Sequence, residues 1–324
     1  MMNNAFAAGL WVFAQSAEKF GGYTASAPVL AQIKQAATVP GLKGLELISP
    51  LHVTAQNAHE VKGWLEDAGL KPVSVNPYVW TESDWKRGAF TSPDPAVRQL
   101  AIDRGKEAIE IGHILGTRQM CLWPGEDGWD YYFQTDYRVL WDREADGVRQ
   151  LAEFDPETRI GVEYKMHEPR THMLVSTAAK AALLGYELGM PNVGAYLDFG
   201  HALMAKENPS ESVAMLTRLN RLVGVHVNDN YGAGDDDIVV GSVHLWEMVE
   251  FLLTLDESGY TGWLTLDLVP TREDVVDACA HSIRVLETYQ HLISGLDREA
   301  LRQAQREMNA LEAQRVIHDL LVRA

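Results

Sequence analysis

Residues 160–170 read IGVEYKMHEPR. A small and apolar run leads into Glu163, Lys165 follows two positions later, and a Glu168-Pro169 step ends the segment. Successive side chains of a strand alternate between its faces, so a strand here projects Glu163 and Lys165 to the same side. Burying a carboxylate and an ammonium on an apolar strand costs free energy unless both find partners. The stretch therefore predicts a strand that ends at a functional site.

Similar apolar runs recur along the chain and alternate with amphipathic helical patterns. The runs predict strands at residues 6–13, 44–48, 72–76, 119–123, 160–165, 194–198, 223–228 and 263–268. Helices are predicted at residues 29–37, 58–68, 96–115, 137–153, 176–188, 210–219, 245–256 and 272–292. Eight strand–helix units favour a (β/α)8 TIM barrel. The alternative, a doubly wound open sheet, would carry a Gly-rich phosphate turn after the first strand, and AGLW at residues 8–11 is not one.

The chain is long enough for one large barrel and a short extension. We expect a barrel domain over residues 1–293 and a C-terminal helical extension over residues 294–324. The extension has a sparse apolar stripe, which fits either a helix that caps the barrel or an arm that contacts another subunit. A homodimer or a homotetramer is the expected assembly.

Composition narrows the class of ligand. With 28 basic and 45 acidic residues the formal charge is −17, which disfavours nucleic acid, an anionic membrane surface or a heavily phosphorylated ligand. It fits a neutral small molecule or a bound cation. Cys121 and Cys279 are too few for a disulfide framework and are expected to be reduced. No signal-peptide pattern begins the chain and no run approaches 18 apolar residues, so the expected location is cytoplasmic.

Candidate site residues follow from the barrel, because such barrels carry their sites at the carboxyl ends of the strands. Alone, each polar residue there has a structural explanation, such as a cap, a core hydrogen bond or a solvated loop. Together they form a ring of carboxylates and imidazoles. The carboxylates in such a ring would repel one another unless a divalent cation balanced their charge. The last four strands and their loops place there Glu163, Lys165, Asp198, His201, His226, Asn228, Asp235, Asp237 and Asp267.

Several of these segments resemble the metal-dependent aldose–ketose isomerases, the group of xylose isomerase and L-rhamnose isomerase. The similar stretches are NPYVWTESDWKRGAFTSPDPAVR at residues 76–98, CLWPGEDGWD at 121–130 and EYKMHEPR at 163–170. GLW at residues 9–11 and KFG at 19–21 are similar to the first strand and its loop. The resemblance spans residues 6 to about 290. The imidazole at His226 makes the metal-ligand pattern most similar to that of L-rhamnose isomerase.

The resemblance implies two divalent cations per chain, of Mn, Mg or Co. Glu163, Asp198, His226 and Asp267 would hold a structural ion. A second, catalytic ion would be held by His201, Asp235 and Asp237, with Asp198 possible as a bridging ligand.

The resemblance also implies roles around the sugar. Lys165 would polarise the carbonyl of the open-chain sugar, and Asp237 and Asp267 are the other candidate catalytic residues. Trp11 and Trp123 would contact the sugar carbons, although core aromatics under the loops would have the same pattern.

The segment after the second strand departs from the xylose isomerase pattern. Ile48 and Ser49 stand about where those enzymes have the His-Asp pair that helps to open the sugar ring. His52 and Glu46 are the candidate substrate contacts in this region. The departure leaves the ring-opening residue and the identity of the sugar open.

The sequence thus predicts a divalent-metal-dependent isomerase that converts an unphosphorylated monosaccharide between its aldose and ketose forms by a 1,2-hydride shift. One alternative is a ketose 3-epimerase on the same barrel, which would use one metal. A zinc-dependent abasic-site endonuclease also uses this barrel but should be basic. A non-catalytic sugar-binding barrel would not need Lys165 beside Glu163.

Overall fold

The computed structural model describes residues 4–14 and 27–322 and contains eight parallel strands, each followed by helical structure. The predicted (β/α)8 barrel with C-terminal helices is confirmed. Residues 19–21, part of the predicted first loop, lie outside the described residues. The strands are β1 (Phe6–Gly9), β2 (Leu42–Ser49), β3 (Lys71–Pro77), β4 (Gln119–Leu122), β5 (Arg159–Glu163), β6 (Val193–Asp198), β7 (Leu222–Val227) and β8 (Leu264–Leu266).

The sheet is nearly closed. Its hydrogen-bonded order is β3-β2-β1-β8-β7-β6-β5-β4, so the first and last strands pair in parallel and β3 and β4 form the two ends. Side chains span the seam between these ends. The Cys121 N–H donates to Asn76 Oδ1 at 2.9 Å, and Thr117 Oγ1 donates to the Val73 carbonyl at 2.6 Å. The barrel thereby keeps β3 beside β4 through side-chain hydrogen bonds.

The helices surround the barrel and confirm the predicted alternation. They are α1 (Val29–Ala36), α2 (Ala58–Asp67), α3 (Pro95–Leu115), α4 (Tyr137–Phe154), α5 (Ala178–Glu187), α6 (Phe199–Met204), α7 (Pro209–Arg218), α8 (Leu245–Glu257) and α9 (Val275–Ser294). Two more, α10 (Arg298–Arg306) and α11 (Ala310–Val322), form the C-terminal extension. Met308 lies between them. Its φ of 51° is in the left-handed region, so a right-handed helix cannot run through it. Whether the extension is a domain of its own stays a prediction.

Two details differ from the prediction. The first apolar run, predicted as one strand over residues 6–13, is a strand only to Gly9 and continues as the 3-10 helix Leu10–Ala14. The 3-10 helix buries Leu10, Val12 and Phe13, and a short buried apolar run of this kind is also typical of a strand, so hydrophobicity alone does not distinguish the two conformations. The short helix α6, directly after β6, was not predicted. Asp198 caps it by accepting a hydrogen bond from the His201 N–H at 2.7 Å.

A tyrosine inside the barrel contacts three strands besides its own. Tyr196 on β6 is fully buried, and its ring passes beside Gly161 on β5 and Gly224 on β7. A Cβ at Gly224 would lie 2.2 Å from the Tyr196 ring and one at Gly161 would lie 2.8 Å from it, so neither position accepts a side chain without displacing the ring. This close approach lets the Tyr196 hydroxyl donate a hydrogen bond to Glu46 on β2.

A small antiparallel sheet lies in the loops that follow β4 and β5. In it Thr171–Met173 pairs with both Gly128–Trp129 and His167–Glu168. Asp130 accepts hydrogen bonds from Arg170 at 2.5 Å and from Thr171 at 2.8 Å, which ties the two loops together. Within the described part of the chain, every helix is too short or too polar to cross a bilayer.

Candidate functional site

A cavity of about 640 Å³ opens at the carboxyl ends of the strands. Most of the predicted site residues line it, although they come from different strands and loops. Those in the lining are Trp11, Trp123, Glu163, Lys165, His201, His226, Asp235, Asp237 and Asp267. Asp198 and Asn228 lie behind the lining and are fully buried. Lys165 lies just beyond the end of β5, not within the strand, yet it faces the cavity as Glu163 does.

Four side chains gather at the base of this cavity. Glu163 and Asp198 are the last residues of β5 and β6, His226 lies in β7, and Asp267 follows β8. Each offers one ligand atom, and these four atoms lie within 4.8 Å of one another. His226 Nδ1 is 2.9 Å from Glu163 Oε1 and 3.5 Å from Asp267 Oδ2. Three carboxylates and one imidazole are a donor set suited to Mn, Mg, Co or Zn.

The pKa values of these carboxyl groups reflect a repulsion that a bound cation would remove. Burial raises the pKa of Asp267 to about 7, and the carboxylates of Glu163 and Asp198 add to the rise while His226 opposes it. Burial also raises the pKa of Asp198, with His201 opposing the rise and Asp235 and Glu163 adding to it. Crowded buried carboxylates repel one another, and a divalent cation among them removes that repulsion. The four residues therefore fit a divalent metal ion.

Glu46 holds the other side of the His226 ring. His226 Nε2 lies 3.3 Å from Glu46 Oε2, and Ser74 donates to that same oxygen at 2.8 Å. Burial alone would raise the pKa of Glu46, but the charge of His226 and the hydrogen bonds from His226, Tyr196 and Ser74 lower it to about 2. Glu46 is therefore an ionised acceptor for Nε2, and the other ring nitrogen, Nδ1, is directed at Glu163 and Asp267. A carboxylate on the far nitrogen is a common support for a metal-ligating histidine.

The expected second ligand set is arranged differently. His201 Nε2 lies 3.2 Å from Asp235 Oδ2, and Lys165 Nζ lies 2.6 Å from the same oxygen and also pairs with Glu168. Burial lowers the pKa of His201, but Asp198 and Asp235 reverse this and raise it to about 9. His201 Nδ1 is buried without a hydrogen-bond partner among the described residues. Asp235 is thus bound by cationic side chains, so the second ion stays a prediction.

Asn228 joins the two predicted ligand sets. Its Nδ2 donates to Asp198 Oδ2 at 2.8 Å and to Asp237 Oδ1 at 2.9 Å, and its Oδ1 accepts from the Gly200 N–H at 3.0 Å. The amide can donate to both carboxylates at once, which a carboxylate at this position could not do. Asn228 therefore positions Asp198 and Asp237 relative to each other.

Aromatic rings form one wall of the cavity. Trp123 packs edge-on against Trp80 with 4.9 Å between ring centroids, and Trp80 packs against Tyr78 at 4.7 Å. Lys165 Nζ lies 5.2 Å from the centre of the Trp123 ring. Trp11 also lines the cavity, and its Nε1 donates to Asp267 Oδ1 at 2.7 Å. Tyr78 and Trp80 were missed as site residues, although two aromatics directly after a predicted barrel strand could have indicated them.

Two predicted substrate contacts lie outside the lining that the described residues form. Glu46 is buried beneath His226, as described above. His52 is 5% exposed, and its Nδ1 accepts a hydrogen bond from the Ile48 N–H at 2.9 Å. Ile48 and Leu51, its neighbours, line the cavity in its place. The structure thus does not bring the His52 ring to the cavity, because the turn after β2 directs it into the protein.

Comparisons with known proteins agree with this architecture. A sequence profile described as "Xylose isomerase-like TIM barrel" matches residues 33–289. The xylose isomerase of Thermus thermophilus is 29% identical over 241 residues, which are 72% of this chain and 62% of that protein. Across three of the curated relatives that it matches, the chain spans between 54% and 62% of their length.

Solved structures are similar in fold. One titled "Crystal structure of D-tagatose 3-epimerase-like protein" superposes with a TM-score of 0.67 and 20% identity, covering 91% of this chain and 98% of that one. Another, titled "Structure of L-ribulose 3-epimerase", has a TM-score of 0.70 and 14% identity, covering 95% of this chain and 99% of that one. At these identities the likeness concerns the fold alone.

Proposed function

This chain belongs to the family of xylose isomerase-like TIM barrels, and on that premise we propose that it is a sugar isomerase. It interconverts the aldose and ketose forms of an unphosphorylated monosaccharide by a metal-assisted 1,2-hydride shift. One observation carries the proposal. The ligand atoms of Glu163, Asp198, His226 and Asp267 lie within 4.8 Å of one another, in the same cavity as the Lys165 ammonium.

The four clustered residues would hold the divalent ion, and Mn, Mg and Co all suit their oxygen and nitrogen donors. When bound, such an ion supplies Lewis acidity toward the oxygens on C1 and C2 of the sugar. His201, Asp235 and Asp237 would hold a second ion only if Asp235 left Lys165. One ion in the four-residue group is therefore the arrangement that the side-chain contacts support best.

The reaction moves a hydrogen with both electrons of its bond from C2 to C1 of the open-chain aldose. A proton leaves the C2 hydroxyl, whose oxygen becomes the new carbonyl, and a proton joins the oxygen on C1. Lys165 stabilises the negative charge that grows on the C1 oxygen by donating a hydrogen bond to it. Asp237 lines the cavity outside the four-residue group, and in this proposal it carries the proton between the two oxygens. Asp267, beside His226, orients the sugar hydroxyl at the same end.

The aromatic wall fits this chemistry. Trp11, Trp80 and Trp123 present apolar surface to the cavity, and such surface packs against the C–H groups of a sugar. It also keeps water from the carbon atoms between which the hydrogen moves. Trp123 additionally holds Lys165, because the ammonium lies over its ring.

The direct test is a panel of aldoses and ketoses with protein that has been stripped of metal and then supplied with Mn, Mg or Co. We expect conversion of at least one sugar with metal and none without it. Conversion that persists after thorough chelation, or the absence of conversion for every sugar and metal, would contradict the proposal.

A ketose 3-epimerase is the second candidate, and one observation favours it. Glu163, Asp198, His226 and Asp267 offer ligands for one ion, and the other candidate group among the described residues, Glu46, Cys121 and His226, shares His226 with them, so the arrangement fits an epimerase that uses one metal. The two reactions separate with a ketose substrate that carries deuterium at C3. A 3-epimerase removes the hydrogen on C3 as a proton, so the label washes out to solvent, whereas a 1,2-hydride shift does not touch C3 and keeps the label in the product.

Three further expectations concern the assembly, the location and the metal. A homodimer or homotetramer stays a prediction of the sequence, as does a cytoplasmic location. The same holds for the identity of the ion among Mn, Mg and Co. Sedimentation analysis and metal competition would test the first and the last of these.

A further inference from the structure

A second cavity of about 640 Å³ lies beside the first. Thr81 and Glu126 contribute to both linings, so the two spaces adjoin at these residues. The second cavity is bordered by the loops that follow β3 and β4 and by the start of α4. A substrate whose reacting end lies in the first cavity can therefore extend into the second one.

The second cavity has unpaired positive charge in a strongly acidic chain. Four cations line it, and Arg170 among them is neutralised by Asp130. Lys86, Arg87 and Arg143 have no carboxylate within ion-pair distance among the residues that the structure describes.

The carboxylates nearby are largely engaged. Glu82 pairs with Arg104 at 3.0 Å and accepts from Trp85 Nε1 at 3.0 Å, and Asp130 is bound by Arg170 and Thr171. Glu126, at the junction of the two cavities, is the remaining acidic residue in the lining. Three cations thus face this space against one carboxylate.

Arg143 is the best-positioned of the three cations. It lies near the start of α4 and is half-buried, and its guanidinium donates to the Thr91 carbonyl at 3.1 Å. That hydrogen bond holds the planar group at the cavity wall and leaves its other N–H donors for a ligand. A guanidinium held in this way matches the two oxygens of a carboxylate.

We propose that the second cavity binds a carboxylate group carried by the saccharide substrate, with Arg143 as its main contact and Lys86 and Arg87 as further cations. This deepens the proposed function, on which it rests, by naming an acidic sugar as the substrate class. A carboxylate suits the site better than a phosphate, because the chain's charge of −17 opposes a dianion more strongly than a monoanion. A neutral sugar would leave the three cations without a negative charge to pair with.

The test compares matched sugars that differ in one charged group. Calorimetric titration of the Mg-loaded protein measures the dissociation constants of D-glucuronate and D-galacturonate, of D-glucose and D-galactose, and of D-glucose 6-phosphate. The variants are Arg143→Met and the double variant Lys86→Met with Arg87→Met, whose two side chains are exposed and unimportant for packing. Arg149→Met is the control, because it removes the same charge from the same helix outside the cavity lining.

We expect at least one uronate to bind about tenfold or more tightly than its neutral partner in the wild type and in Arg149→Met. The preference should fall toward onefold in Arg143→Met and weaken in the double variant. No uronate preference in the wild type, an unchanged preference in both cavity variants, or tighter binding of the phosphate than of the uronates would each overturn the proposal.

Failure of this inference and failure of the proposed function are distinguishable. A protein that isomerises neutral sugars without any preference for uronates retains the proposed function and loses the carboxylate site. A protein with an Arg143-dependent uronate preference but no isomerisation of any sugar retains the carboxylate site and loses the proposed function.

Discussion

Replacing Glu46 by glutamine should weaken the binding of a divalent cation while the barrel stays folded. Glu46 accepts from Ser74 at 2.8 Å and faces His226 Nε2 at 3.3 Å, so its carboxylate fixes the ring that directs Nδ1 at the proposed metal. A glutamine oxygen can replace Oε2, and its amide nitrogen can donate to the Tyr196 hydroxyl, so packing is kept. What is lost is the charge on the acceptor. A hydrogen bond to a charged group contributes about 1.5–3 kcal/mol, which corresponds to roughly 10- to 100-fold in affinity.

The assay is a titration of the metal-free protein with Mn in competition with a chelator of known affinity. Circular dichroism and urea unfolding show that the variant is folded. Glu144→Gln is the matched control, because Glu144 is also a fully buried glutamate but its carboxyl lacks a hydrogen-bond partner among the described residues. Its metal affinity should equal that of the wild type. Mn binding by Glu46→Gln within twofold of the wild type would refute the role given to Glu46.

Three other changes have defined outcomes. Lys165→Met should lower turnover by about 100- to 1000-fold yet leave the metal content unchanged by elemental analysis, because Lys165 lies outside the four-residue group. Asp198→Asn should lose bound metal on dialysis, and wild-type occupancy in this variant would contradict its place among the ligands. Burial lowers the pKa of His52 from its ordinary 6.5 to about 4. Between these two pH values the unfolded chain binds a proton at His52 and the folded protein does not. The His52 ring alone should therefore account for about 3 kcal/mol of the stability that the wild type loses as the pH falls from 6.5 to 4, by linkage. His52→Asn, whose amide oxygen can still accept from Ile48, should lose less over the same range in urea unfolding, and an identical loss in both proteins would contradict this.

The barrel was predictable because each strand is a short apolar run followed by a helical pattern. Given the barrel, the polar residues that end β5 to β8 had to converge at one end. That reasoning placed Glu163, Asp198, His226 and Asp267 in one ring of polar side chains, and the resemblance to the metal-dependent isomerases separated these four as one ligand set. The conformation of residues 10–14 was not predictable, because a buried 3-10 helix and a buried strand have the same hydrophobic composition.

Contacts made by loops and within the barrel interior could not be predicted from the sequence. The pairing of Asp235 with Lys165 depends on how the loop after β7 folds back over β5, and no spacing encodes this. Glu46 was expected to contact the substrate, but it lies beneath His226. There it accepts a hydrogen bond from Tyr196, whose ring fits only because residues 161 and 224 are glycines. The direction of the His52 ring follows from one hydrogen bond to Ile48, which residue type alone does not reveal.

The dependence of turnover on metal occupancy tests the central claim most directly. Metal-free protein is reconstituted with increasing amounts of Mn, and the bound metal and the rate of aldose–ketose conversion are measured on the same samples. We predict no conversion at zero occupancy, a rate that rises with occupancy in the wild type, and no conversion in Asp198→Asn at Mn concentrations that saturate the wild type. Full conversion by metal-free protein would contradict the claim that these four residues hold the ion on which the reaction depends.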